Sequence, residues 1–208
     1  MASFDAILVI ARTIRGLLAN SRPATRFDGA DFSILRSQDF PRAASDLSIG
    51  VSVYLHRIAF NTLRRNQPPR IALDGRRFRP PTPVDLHFLI TAWAKSPEAQ
   101  MEILGWAVRT LQDMTELPAG LLNRFAGERS DVFHPNETVE LVGETLTPQE
   151  LINIWEIAKA NQQPSISYVA RQVLIDSDTE MPDAGLVRER DFTYAQVLSD
   201  ASNLATAR

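Results

Sequence analysis

The chain has 208 residues, 44% hydrophobic and 23% charged, with 22 basic and 25 acidic side chains, a net charge of -3 and an isoelectric point near 5.7. These proportions exclude an intrinsically disordered chain and a protein that coats nucleic acid along its whole surface. The absence of cysteine excludes disulfide frameworks and thiolate metal sites and fits a reducing cytoplasm. The length suits one core, expected to occupy 1–190 and to be followed by a carboxy-terminal tail at 191–208.

Phe4, Ile7, Leu8, Ala11, Ile14 and Leu18 fall on one helical stripe, so the first twenty residues read as an amphipathic helix. Arg12 and Arg15 interrupt or closely follow its apolar run, where a secretion signal would carry its charge ahead of it. No stretch of the sequence approaches the length of a transmembrane helix. Asn20 to Asp31 carries loop residues, and Phe32 to Arg36 reads as a short strand. Ser48 to Ile58 is a stronger strand, with Val51, Val53 and Leu55 on one face.

Asn61 to Pro83 holds prolines at 68, 69, 80, 81 and 83 and a turn signal at Asp74-Gly75, which excludes a long helix. Arg64, Arg65, Arg70, Arg76, Arg77 and Arg79 concentrate here, in a chain whose only lysines are Lys95 and Lys159. The segment reads as a basic arm between two core strands. Guanidinium forks suit carboxylate pairing at an interface, and these six arginines are the candidate interface residues. A solvated loop without a partner is the plain alternative.

From Val84 the chain alternates Leu86, Phe88 and Ile90 against Asp85, His87 and Leu89, as a mostly buried strand does, and this strand is expected to pair with the one at Ser48 to Ile58. After Ser96 the period changes. Met101, Leu104, Ala107, Val108, Leu111 and Met114 predict one buried helix face, and Ser96-Pro97-Glu98 supplies a cap signal. Leu117 to Gly127 reads as a short helix and Glu137 to Val142 as a strand near a sheet edge. Thr147-Pro148-Gln149-Glu150 is a capping box ahead of a stripe at Leu151, Ile154, Trp155 and Ala158, and Ser165 to Ile175 returns as a strand. From Asp176 to Asp191 the chain is acidic and turn-rich, opposite in charge to the arm, which allows pairing between copies, with a solvated tail as the plain alternative. Trp93, Trp106 and Trp155 are expected as core anchors.

The sequence contains no phosphate-binding glycine loop, dinucleotide fingerprint or nucleophile elbow, and its three histidines, His56, His87 and His134, lack metal-binding spacing. His56 and His87 lie on strands expected to be neighbours, within reach of each other or of Asp85. Hydrogen-bonded histidines on a sheet face are the reading preferred to a catalytic pair. No catalytic, cofactor or metal site is assigned, and the residues alone specify an α+β domain with a basic, proline-rich arm.

The ordered set VSVYLHRI at Val51 to Ile58, NTLRRN at Asn61 to Asn66, DLHFLITAW at Asp85 to Trp93 and EILGWAVRTL at Glu102 to Leu111 resembles the tube-terminating cap proteins of contractile injection systems of the antifeeding-prophage type, in their amino-terminal domain. The resemblance implies an α+β, tail-terminator-like fold, with a mixed, mainly antiparallel sheet flanked by helices. It also implies a structural, non-enzymatic role: a ring, expected to be hexameric, that ends the inner tube and contacts the sheath of a particle assembled in the cytoplasm. The partners so implied are further copies, tube protein and sheath protein, with no nucleic acid, small-molecule substrate or cofactor. Strand addition by the tail after Asp191 is a further expectation. A neck or baseplate ring of a related particle is the alternative, and an enzyme using His87 with Asp85 is a distant one.

Overall fold

Thirteen residues, Thr82–Ala94, form the central strand β5 of the computed structural model, which describes residues 3–182 apart from 24, 65, 73, 129 and 130. Ahead of it come helix α1 (Ala6–Ser21), strand β1 (Asp31–Ile34), helix α2 (Phe40–Asp46), strand β2 (Ile49–Phe60) and the short strands β3 (Arg70–Ile71) and β4 (Arg77–Phe78). After it come α3 (Pro97–Gln112), β6 (Glu116–Pro118), α4 (Ala119–Arg124), β7 (Thr138–Glu144), α5 (Pro148–Ala158) and β8 (Ser165–Ile175). Six strands form one sheet in the order β1-β2-β5-β8-β7-β6, and β3 and β4 form a separate two-stranded ribbon. Only β1 and β2 pair in parallel; the rest of the large sheet is antiparallel. This is the expected α+β class with a mixed, mainly antiparallel sheet.

The period-two pattern of β5 divides the protein. Val84, Leu86, Phe88, Ile90 and Ala92 pack with α1, α3 and the inner residues of β2, β7 and β8 in the larger hydrophobic core. Leu89 and Trp93 point the other way and pack with Phe40 and Ala43 of α2 and Trp155 and Ala158 of α5. Phe40 holds this smaller core together, with ring centroids 5.7 Å from Trp93, 5.2 Å from Trp155 and 5.2 Å from Tyr54. The Trp93 indole N–H donates to Ser52 Oγ at 2.8 Å, so a buried donor on the central strand is satisfied by its neighbour β2.

Two irregularities shape the lower half of the sheet. The β2–β5 register shifts between Leu55 and Arg57, leaving His56 as the extra residue of a bulge. On the other side the β5–β8 register shifts between Val84 and Leu86, and Gln172 of β8 takes a left-handed φ of 59°. Asp85 accounts for that conformation: its Oδ1 accepts the Gln172 backbone N–H at 2.8 Å, and both its oxygens accept from Asn61 Nδ2 at 3.1 and 3.2 Å.

Several sequence expectations need correction. The buried face of α3 is Gln100, Ile103, Ala107 and Leu111, one position away from the expected stripe in its first turns, and Met101 is 62% exposed. Buried Gln100 displaces the apolar pattern because its amide donates to Ala92 O and Gln163 Oε1, both at 2.8 Å. Ser96 makes no side-chain cap, and Phe4 and Leu8 lie exposed at the start of α1. Helix α2 and strand β6 escape the pattern because seven and three residues are too few to establish a period. By contrast the Thr147 capping box forms as read, with Glu150 N donating to Thr147 Oγ1 at 3.2 Å and Thr147 N to Glu150 Oε2 at 2.9 Å.

Trp93 and Trp155 are core residues at 2% and 3% exposure, whereas Trp106 is half-buried against Phe27 and Phe32 at 5.5 and 5.9 Å. Trp93→Ala is therefore expected to cost about 3–5 kcal/mol and Trp106→Ala about half that, measured by urea unfolding. Gly16 of α1 carries no Cβ because the Phe125 ring occupies its place, 2.0 Å from the position a Cβ would take. Gly16→Ala should destabilise by about 1–3 kcal/mol although helix propensity alone favours alanine by about 1 kcal/mol; a net gain in the same unfolding experiment would show that the ring moves aside freely.

Candidate functional site

Below Leu89, the second face of the sheet turns polar. His87 Nδ1 lies 2.9 Å from Glu144 Oε2 of β7 and 3.2 Å from Arg57 Nη2 of β2. It serves one of them at a time: protonated, Nδ1 donates to the carboxylate; bare, it accepts from the guanidinium. Glu144 also accepts from Arg57 Nη2 at 3.1 Å and from Ser167 Oγ at 3.1 Å, so one carboxylate ties β7 to β2, β5 and β8. His56 lies 3.4 Å from Ser167 Oγ through Nε2, its ring 6.0 Å from that of His87. Burial, followed by the neighbouring His87, lowers the His56 pKa from 6.5 to about 4.

The expected approach of the two histidines is present, but the pairing of His87 with Asp85 as a catalytic couple is corrected. The Asp85 hydrogen bonds go to the Gln172 backbone and Asn61, and His87 faces Glu144. Ser167 is 2% exposed and His87 7%, so a reacting group here would lie behind the surface. Among the described residues no group of three or more metal-ligating side chains is placed to hold an ion.

The arm is a hairpin held to the chain that leaves β8. Gly75, with φ 86°, makes its turn, and Ala72 N donates to Arg76 O at 2.9 Å. Arg79 N donates to Thr179 O at 2.9 Å and Met181 N to Arg77 O at 2.7 Å, which adds residues 179–181 alongside β4. Arg70 Nε sits 3.4 Å from Asp176 Oδ2, and its guanidinium stacks 4.1 Å from the Phe78 ring centroid. Desolvation raises the Asp176 pKa above the usual carboxylate value against the lowering influence of Arg70.

The six arginines are not equivalent. Arg70 is paired with Asp176 and Arg76 with Asp74 at 2.6 Å, while Arg77 is half-buried in the ribbon with its Nε unpartnered. Arg64 and Arg79 are exposed. Arg65 and the tail at 191–208 lie outside the described residues. In the same part of the chain as the exposed arginines is a feature that charge reading passes over: Ile58, Phe60, Leu63 and Ile71 are 50%, 76%, 93% and 68% exposed. Its sequence signal is Ile58 and Phe60, two residues apart, which extend the apolar alternation of β2 past the bulge.

The depressed His56 pKa fixes a pH dependence. The unfolded chain binds the proton near pH 6.5 and the folded chain only near 4, so stability is full above 6.5 and declines as pH falls between those values. Discounted for partial exposure, the loss is about 2 kcal/mol. In urea unfolding from pH 7 to 4, His56→Gln should flatten this decline; an unchanged slope would assign it to other groups.

The geometry thus presents a buried polar tie and an exposed apolar and basic projection, the second being the candidate functional surface. A search of curated protein sequences finds no match. Among solved structures, the chain is similar to the sheath/tube terminator of an extracellular contractile injection system, PVC, in its extended state, with 15% identity and TM-score 0.57 over 92% of this chain and 64% of that one. It is also similar to the tube-terminating cap of the anti-feeding prophage, with 16% identity and TM-score 0.56 over 89% of this chain and 60% of that one. The chain thus spans less than two thirds of either structure, and at this identity the likeness establishes a shared fold. The sequence profile of the Pvc16 N-terminal domain matches residues 9–189, so the chain belongs to the Pvc16 N-terminal domain family.

Proposed function

We propose that this protein is a structural cap that terminates the inner tube of a contractile injection system. The observation that carries this reading is family membership across residues 9–189, supported by the fold shared with two tube-terminating proteins. The chemistry is consistent with it: the polar cluster is spent on tying strands together, and the exposed arm offers a surface to another protein. The role is non-enzymatic and needs no cofactor. Residues 1–190 act as one terminator-like domain in a ring of copies, with hexameric closure taken from the resemblance, contacting tube and sheath protein within a particle assembled in the cytoplasm.

The arm carries the contacts, but its six arginines divide the work. Arg70 and Arg76 hold the hairpin against Asp176 and Asp74, and Arg64 and Arg79 are exposed for a partner's carboxylates. Truncation of a rim arginine affects assembly rate and salt sensitivity, whereas loss of Arg70 leaves the partly buried Asp176 without its cation and loosens the arm itself.

Electron microscopy of particles made without this protein tests the reading. Tubes of uncontrolled length are expected, restored to uniform length by the full chain. Uniform tubes lacking another ring, at the neck or baseplate, would reassign it to that alternative position.

A further inference from the structure

The exposed arm has a counterpart on the same molecule. Between β1 and helix α2 runs a groove lined by the apolar Leu35, Ala43 and Leu47, by Ser33, and by Asp31, Asp39, Asp46 and one cation, Arg42. Asp39 is paired with Arg36 at 3.2 Å and Asp46 with Arg42 at 3.0 Å. Asp31 is exposed and has no ion-pair partner among the described residues. β1 is also the end strand of the sheet, so its outward backbone groups face no neighbouring strand.

The two surfaces match in kind. One is a set of exposed apolar side chains with guanidinium groups, the other an apolar groove whose one carboxylate without an ion-pair partner among the described residues is Asp31, so that an apolar centre and one opposite charge are available on each side. Among the described residues neither Arg79 nor Arg64 has an ion-pair partner, although Arg64 shares a groove with Glu137, Glu140 and Arg171. They also lie at opposite ends of β2. β1 pairs with Gly50 to Val53 and the projection begins at Ile58 and Phe60, so the two surfaces are about 17–33 Å apart along β2 at the usual rise per residue. The arm hairpin is further tied to residues 179–181. A chain therefore cannot seat its own arm in its own groove, and only a second copy can bring the two together.

We propose that the projection of one copy, Ile58, Phe60 and Leu63 with Arg64 and Arg79, seats in the β1–α2 groove of a second copy, with Asp31 as its principal carboxylate partner. This rests on the capping reading and names the surfaces of the contact between copies. The contact is heterologous: each copy gives an arm and receives one, so the association closes into a ring when the rotation per copy allows it.

The test uses three full-length proteins in sedimentation velocity at low salt: wild type, an arm variant with Arg64→Glu and Arg79→Glu, and a groove variant with Asp31→Arg. Wild type should self-associate, more weakly as salt rises. Each variant alone should associate at least about tenfold more weakly, by loss of a complementary charge contact and its replacement with a like-charge one. Mixed in equal amounts, the variants should associate again, because each contact between unlike chains now pairs opposite charges, the arginine arm with the Asp31 groove and the glutamate arm with the arginine-bearing groove. That recovery also shows that both variants are folded. Carrying all three substitutions on one chain should restore association. Wild type that stays monomeric, variants that associate like wild type, or a mixture that stays monomeric would each overturn the proposal. Tube capping is scored separately: if the arm variant fails to cap while the groove variant caps normally, the arm meets tube or sheath, which overturns this contact and leaves capping intact. Wild type that fails to cap tubes refutes the capping reading whatever its association.

Discussion

From Leu86 to Trp93 strand β5 has no solvent face, and that constraint orders everything around it. Its even-numbered residues from Val84 to Ala92 lie in the helical core beneath α1 and α3, and on its other face Leu89 and Trp93 lie beneath α2 and α5. With β2 on one edge and β8 on the other, its backbone is paired on both sides. A strand enclosed in this way has one tolerable register, since a slip of one residue would exchange Phe88 for His87 in the larger core. The polar residues that remain on β5 are accommodated individually: Asp85 by the β8 bulge, His87 by Glu144 and Arg57.

The same enclosure leaves exposed side chains at the end of the strand where the arm departs. Toward Ala94 the sheet passes under Phe40, Trp93 and Trp155 and into α3; toward Thr82 it runs past the helices, where Phe60 and Ile58 stand exposed and the arm departs. Asp85 links the two regions. By holding Asn61 at the root of the arm and Gln172 in the β8 bulge, it couples the direction of the hairpin to the core strand. Segment 179–181 then braces β4 from the other side. A projection fixed at both its root and its flank presents its side chains at little further entropic cost on binding.

The long elements were legible because their periods are long enough to be distinctive. β5, β2 and β8 read as strands from alternation, and α5 from its capping box and the stripe behind it. What escaped was decided by tertiary pairing. Gln100 is buried because Ala92 O and Gln163 are placed to satisfy it, which no local pattern encodes, and this shifts the inner face of α3. Glu144 could not be singled out among 25 acidic residues, since its partners lie on three other strands. The arginine cluster was visible, but its division into paired and exposed members depends on Asp176, a hundred residues later in the chain.

Position on the particle tests the central claim most directly. Cryo-electron microscopy of intact particles carrying a tagged copy of this protein, with the tag located by gold labelling, should show label at one tube end only, on the last tube layer. Label along the tube, at the baseplate, or on free material without attachment to tube ends would contradict a tube-terminating role.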